Sequence, residues 1–332
     1  MRKPRILGRG STNYYHLMSR VVSGDFLLKE EEKTFFRNTM RRLEAFTGVK
    51  VLTYCIMSNH FHILAEVPEI TDLPDDELLR RIKNFYKKED AEVRLLEYEE
   101  LKKIAEETGN DHRLNAWRKR YLDRMGDLSV FGKELKERFS RWYNWKNDRE
   151  GAFWSARFKS VLVENSEFAL STIAAYIDLN PVRAKMVTDP KDYRFCGYGE
   201  AVAGGKWAQE GICLWAQINR RDNQTVSWSM ASAQYRTHLF IEAQGKGIDS
   251  KEVKKVLDAK GKLSTKELLR CRIRYFSDGL AIGSKAFVEN VFETHRDWFS
   301  KKRTSGARKI KCAQDPFFCL RDLRIEPIRA PE

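Results

Sequence analysis

The segment VKVLTYCIMSNHFHILAEVP, residues 49–68, holds two apolar runs separated by Ser58–Asn59. Both runs are rich in β-branched and aromatic residues, and so short a polar break between them has the geometry of a β-hairpin. Side chains in a strand alternate faces, so His60 and His62 point the same way and Phe61 points the other. The chain has 6 histidines in 332 residues, which makes this pair worth explaining. Two imidazoles side by side on a strand can share one divalent ion. Two strand histidines satisfied by hydrogen bonds are the alternative. A metal hydrolase would need further ligands on later strands, and His112, His238 and His295 sit in no such setting.

Working outward, NYYHLMSRVV (13–22) reads as a strand, and KEEEKTFFRNTMRRLEAFTG (29–48) as an amphipathic helix. Phe35, Phe36, Met40, Leu43 and Phe46 recur at helical spacing, with Gly48 placed to end it. Residues 70–128 are highly charged and helix-forming, and read as two or three surface helices inserted into the domain. LSVFGKELKERFSRWYNWKN (128–147) is a helix with Leu135, Phe139, Trp142 and Tyr143 on one face. GAFWSARFKSVLVE (151–164) alternates like a strand, and SEFALSTIAAYIDLN (166–180) is a helix capped by Ser166. Without the insertion the order is β-α-β-β-α-β, then a further helix. That order predicts an α+β fold: a ferredoxin-like split β-α-β antiparallel sheet with helices on one face. The other face is left free for a site or for the later helix.

The composition is 33% charged with a net charge of +14, which suggests an anionic partner, nucleic acid first among them. No apolar run reaches the ~18 residues of a membrane span, and the basic N-terminus lacks the apolar core of a secretory signal. The six cysteines are scattered without a C-x-x-C pair, which fits reduced thiols in a cytoplasm rather than a zinc or disulfide framework. Beyond residue 200, AVAGGKWAQEG (201–211) reads as a linker. Residues 264–299 read as helix, glycine-containing turn and helix, either a helix-turn-helix or an ordinary helical hairpin. Ser284 caps the second helix. KKRTSGARKIK (301–311) reads as a flexible basic tail, suited to phosphates or simply solvated.

The last motif is AAYIDLNPVRAKMV (174–187). Tyr176 and Asn180 are four apart and share a helix face. Tyr176 also fits a core tyrosine, and Asn180 before Pro181 fits the cap of a new short helix.

Together, SNHFHIL, FWSARFKSVLV and YIDLNPVRAKMV resemble the HUH single-tyrosine transposases, and within them the REP-associated tyrosine transposases. The resemblance spans roughly residues 10–200. It implies that the tyrosine-bearing helix lies over the open face of the sheet. It implies Tyr176 as nucleophile, with His60, His62 and Asn180 as ligands of Mg²⁺ or Mn²⁺. The activity implied is cleavage and rejoining of single-stranded, hairpin-bearing DNA through a 5′-phosphotyrosine. A catalytically silent, domesticated hairpin-binding protein is the alternative. Arg157, Lys159, Arg183, Lys301, Lys302 and Arg303 are the candidate DNA contacts. Trp142, Tyr143, Trp145 and Trp154 are either base-stacking platforms or core. His16 approaches the metal if its strand neighbours that of His60. The expected organisation is a transposase domain over 1–200 and a mainly helical region over 201–332. A homodimer is possible, and the expected location is the cytoplasm, at the nucleoid.

Overall fold

The computed structural model describes residues 5–218, 225–244, 276, 279–310 and 317–321. Strand β1 (Thr12–Arg20) leads through a short loop to helix α1 (Glu30–Thr47). Gly48 ends that helix in the left-handed region, with φ of 74°, which a residue without Cβ adopts at no steric cost. Strands β2 (Lys50–Ile56) and β3 (His60–Pro68) form the expected hairpin, closed by Met57 N–H donating to His60 O at 2.8 Å. Helices α2 (Asp75–Phe85), α3 (Lys88–Thr108) and α4 (His112–Leu122) occupy the highly charged stretch. Helix α5 (Leu128–Lys146), strand β4 (Lys159–Val163) and helix α6 (Glu167–Asp178) complete the unit.

The four strands lie in the order β2-β3-β1-β4, every neighbouring pair antiparallel. This is the split β-α-β arrangement read from the sequence. Phe61 explains which face carries the helices. It is 1% exposed and meets Phe36 of α1 at 4.7 Å and Trp154 at 5.5 Å between ring centroids. Burying such a ring contributes about 1.5–3 kcal/mol. Phe139 of α5 joins the same aromatic cluster, 5.6 Å from Phe36. Helices α1 and α5 therefore cover one face, while α6 packs against β2 and β3 from the other.

Four readings need correction. The strand expected over 151–164 is regular only at β4. Phe153 and Trp154 are both buried, and Trp154 donates to Lys136 O of α5, so consecutive side chains face one core and alternation fails. The stretch read as a linker is α8 (Gly197–Val202) and α9 (Lys206–Ile218), and α9 packs on β2. In the C-terminal region, α10 (Trp228–Gln244) and α11 (Lys285–Thr294) are accompanied by strands β5 (Gly279–Gly283), β6 (Arg308–Lys309) and β7 (Phe318–Arg321), which extend the sheet to seven strands among the described residues. The glycine-containing turn of the imagined helix-turn-helix is β5. GLAIG is a short apolar run bounded by glycines, which suits a buried strand as well as a turn. Ser284 does cap α11, accepting from Phe287 N–H at 3.2 Å. Residues 264–275, 277 and 278 of that reading lie outside the described residues.

Residues 301–310 of the basic run also make contacts a free tail would lack, with β6 paired to β7. Arg303 donates to the carbonyls of Ser305, Gly306 and Arg321, and lies over Phe299 at 4.8 Å. Its guanidinium braces the C-terminal strands. Lys301 and Lys302 are exposed.

Candidate active site

His60 and His62 sit on β3, inside the sheet, between β2 and β1. Register sets their surroundings. His60 faces Arg20 of β1 directly, and His62 lies between Met18 of β1 and Cys55 of β2. Met18 in turn faces Lys159 of β4, so Lys159 lies on the same face as His62. His16 faces Leu64, one diagonal step from His62. The rings of His60 and His62 are 5.1 Å apart and nearly perpendicular, and those of His16 and His62 are 5.0 Å apart.

The hydrogen bonds of His60 determine its tautomer. Asn59 Nδ2 donates to Gly24 O at 2.9 Å, which identifies the nitrogen end of that amide. Asn59 Oδ1 is then the atom 2.6 Å from His60 Nδ1. An amide oxygen only accepts, so Nδ1 carries the proton and the lone pair is on Nε2. His62 Nδ1 lies 2.9 Å from His16 Nε2, and His16 Nδ1 lies 3.0 Å from the carbonyl of Phe276.

Burial keeps all three imidazoles neutral. It pushes His16 down to about 4, with the Phe276 carbonyl opposing. It pushes His60 down to about 4 as well, with the nearby Arg20 charge adding to the effect. His62 falls well below the ordinary value, by burial first and then by His16, His60, Arg183 and Arg20. A neutral imidazole is the form that ligates a metal.

Helix α6 brings Tyr176 over these rings. Ser166 caps it through Ala169 N–H at 3.4 Å, as its sequence predicts. The Tyr176 ring meets His62 at 5.6 Å and His16 at 5.9 Å, both edge-on, within one chain. Phe276 packs against its other side at 4.9 Å. Helix α7 (Asn180–Arg183) follows at once. Asn180 is its first residue rather than its cap, and its Nδ2 donates back to Tyr176 O at 2.9 Å and Ile177 O at 3.2 Å. Those bonds fix which end of the carboxamide is oxygen. Arg183 donates to Tyr176 O and lies over the Tyr176 ring, 4.5 Å from its centroid.

The structure thus gathers His60, His62, Tyr176, Asn180, Arg183 and Lys159 on the face opposite α1. Arg157 is exposed and close enough to Arg5 for their charges to interact. Lys301, Lys302 and Arg303 lie in the turn and loop between α11 and β6, beyond β5 in the chain. Trp142 stacks on Phe35 at 4.0 Å and Trp154 is buried, both in the helix-side core, while Trp145 is 82% exposed.

Asn59, Arg20 and Phe276 were not picked out in the sequence. Arg20 was accessible to it, since residues 16, 18 and 20 share a face of β1. Asn59 had a signal in its position just before the first histidine. Phe276 had none. Among the described residues no group of three or more His, Cys, Asp or Glu could hold a metal ion.

Residues 10–112 match the family model of IS200-like transposases. The match takes in β1, Asn59 and both strand histidines, and stops short of Tyr176. A search of curated proteins finds no match. Among solved structures, a REP-associated tyrosine transposase bound to a REP hairpin aligns at 15% identity with a TM-score of 0.38, over 68% of this chain and 96% of that one.

Proposed function

Starting from a chain that carries an IS200-like transposase segment, we propose that it cleaves and rejoins single-stranded, hairpin-bearing DNA by transesterification through Tyr176. The observation that carries this reading is the packing of the Tyr176 ring 5.6 Å from His62 within one chain. The tyrosine lies outside the family match, and the fold alone brings it to the histidines.

Two neutral imidazoles and a carboxamide oxygen form a suitable donor set for a divalent ion. His60, His62 and Asn180 would hold Mg²⁺ or Mn²⁺, which supplies Lewis-acid polarisation of a non-bridging oxygen on the scissile phosphate. The chain's own residues do the rest. Tyr176 Oη attacks phosphorus, its phenolic proton leaves, and the displaced 3′-oxygen departs as a hydroxyl. A 5′-phosphotyrosine remains, so a second 3′-hydroxyl can reverse the step and join strands. Arg183 positions the nucleophile by bonding its backbone carbonyl and lying over its ring. Arg20 and Lys159 flank the histidines and supply positive charge for the phosphates on either side. Arg157, Lys301 and Lys302 extend the basic surface farther from the chemistry.

The test incubates the full chain with hairpin-bearing single-stranded DNA and Mn²⁺ or Mg²⁺, then denatures it. A covalent protein–DNA adduct that Tyr176→Phe abolishes supports the proposal. No adduct from either protein overturns it, and retarded DNA without an adduct points to a hairpin-binding protein.

A further inference from the structure

Among the described residues of the C-terminal region, Phe276 reaches the candidate site. Phe276 accepts a hydrogen bond from His16 through its carbonyl and packs its ring on Tyr176. A carbonyl can only accept, so His16 Nδ1 must donate to it. With its proton on Nδ1, neutral His16 offers Nε2 as an acceptor. His62 Nδ1, 2.9 Å away, must then be the donor. The proton of His62 is thereby held on Nδ1, and its Nε2 keeps the lone pair.

We propose that His16 and Phe276 are positioning residues: the Phe276 carbonyl sets the tautomer of His16, and His16 sets that of His62, so the C-terminal region completes the metal-ligating face. This rests on the reading of His62 as a ligand. The two histidines then share one plan. His60 is oriented through Asn59 by Gly24 O, and His62 through His16 by Phe276 O. Each relay has two steps and ends on a backbone carbonyl, whose polarity cannot reverse.

Burial strengthens the relay on the His62 side. His16 is fully buried and His62 is 5% exposed, so water cannot readily replace either partner. Groups that orient a ligating histidine typically account for about 10–100-fold in metal affinity when removed. The Phe276 ring lies in a cluster with Phe317 at 6.2 Å, and Phe317 meets Phe168 of α6 at 5.2 Å. The carbonyl is therefore held by packing against the tyrosine-bearing helix.

The experiment has two arms on the full chain. The first is the ¹⁵N spectrum of the metal-free wild type, which reports each imidazole's tautomer. The proposal requires His16 and His62 both protonated on Nδ1, and His62 protonated on Nε2 overturns it. This arm holds whether or not the protein binds a metal or cuts DNA. The second is Mn²⁺ affinity by calorimetry. His16→Phe should weaken binding by about 10–100-fold. His16→Gln can accept from His62 and donate to Phe276, and should stay within about threefold of wild type if one amide replaces the ring in the relay. Phe276→Ala, which frees the anchor but keeps a carbonyl, should fall between them. Equal Mn²⁺ affinity in wild type and His16→Phe overturns the proposal. Absence of Mn²⁺ binding in the wild type defeats the metal reading instead, and the spectrum still decides the relay.

Discussion

Replacing Asn59 with alanine tests whether the turn between β2 and β3 orients a ligand or merely joins strands. The side chain makes two hydrogen bonds, 2.6 Å to His60 Nδ1 and 2.9 Å to Gly24 O. Each is worth about 1 kcal/mol net, and because Asn59 is half-buried, water recovers part of that. The expected loss of folding stability is therefore about 1 kcal/mol. The effect on the metal is separate. Without its acceptor, His60 can place its proton on either ring nitrogen and can turn about its χ2 bond. Removing an orienting group costs about 10–100-fold in metal affinity, or about 1.4–2.8 kcal/mol. His62 keeps its own relay, so the lower end applies, about tenfold. Titrating Mn²⁺ into the full chain by calorimetry measures this, alongside urea unfolding. Asn59→Asp keeps an oxygen at His60 and should retain most of the affinity while losing the bond to Gly24. If Asn59→Ala loses stability but binds Mn²⁺ within about twofold of wild type, the orienting role is refuted and the residue is only a turn brace.

Three further outcomes follow from the same structure. Arg20→Ala should weaken DNA binding across sequences and lower the slope of log affinity against log salt by about 1, measured by fluorescence anisotropy at several salt concentrations. An unchanged slope would remove Arg20 from the phosphate contacts. Gly211→Ala should destabilise the fold by about 1–3 kcal/mol in urea unfolding, because an added Cβ would lie 2.3 Å from Val51 O, a backbone atom. A stability unchanged by that methyl would mean α9 is not seated on β2 as described. The pH dependence has a clear sign at His238, which burial pushes down to about 4 while its Nε2 bonds Ser171 O at 2.7 Å. Between about pH 4 and 6.5 the unfolded chain binds a proton there that the folded chain does not. Stability should therefore fall as pH drops through that window, by about 1–2 kcal/mol from this residue between pH 7.5 and 5. His238→Gln should flatten the slope by that amount, and an identical slope would contradict it.

The parts of the site legible in sequence share a physical cause: local periodicity. Alternation along β3 places His60 and His62 together with Phe61 opposed, and the helical spacing read across residues 166–180 places Asn180 beside Tyr176, although the helix breaks at Leu179 and Asn180 opens α7. Neither periodicity states that two elements more than a hundred residues apart will meet. The β-α-β-β-α-β order makes β3 a strand flanked by β2 and β1 with one open face, and only the resemblance implied that the tyrosine-bearing helix covers it. His16 was half legible: its face could be read, but not its hydrogen bond to His62. Phe276 was illegible, because its role lies in a main-chain carbonyl, an atom every residue carries. The same limit explains the misread β5. GLAIG has the glycines of a turn and the apolar run of a strand, and only an available neighbouring edge decides between them.

Which edge was available is itself explained by packing. At β2 the outer edge is taken: Ile56 N–H donates to Phe195 O, Cys55 pairs with Cys196 in a single bridge, and α9 brings Gly211 against the Val51 and Leu52 carbonyls. Among the described residues, no strand from the first 200 pairs with the outer edge of β4, and an unpaired edge invites another strand. Strand β5 pairs there in parallel, Leu162 with Ala281 and Val163 with Ile282. Glu164, just past β4, then accepts from both the backbone N–H and the hydroxyl of Ser284, each at 2.7 Å. Once β5 is fixed on β4, the chain three residues before it is confined to the same side of the molecule as His16, which faces Val161 on β4. The pairing that protects the sheet edge is thus also what delivers the Phe276 carbonyl to His16. A change that loosens β5 should be felt at the histidines before it is felt in the four-stranded core.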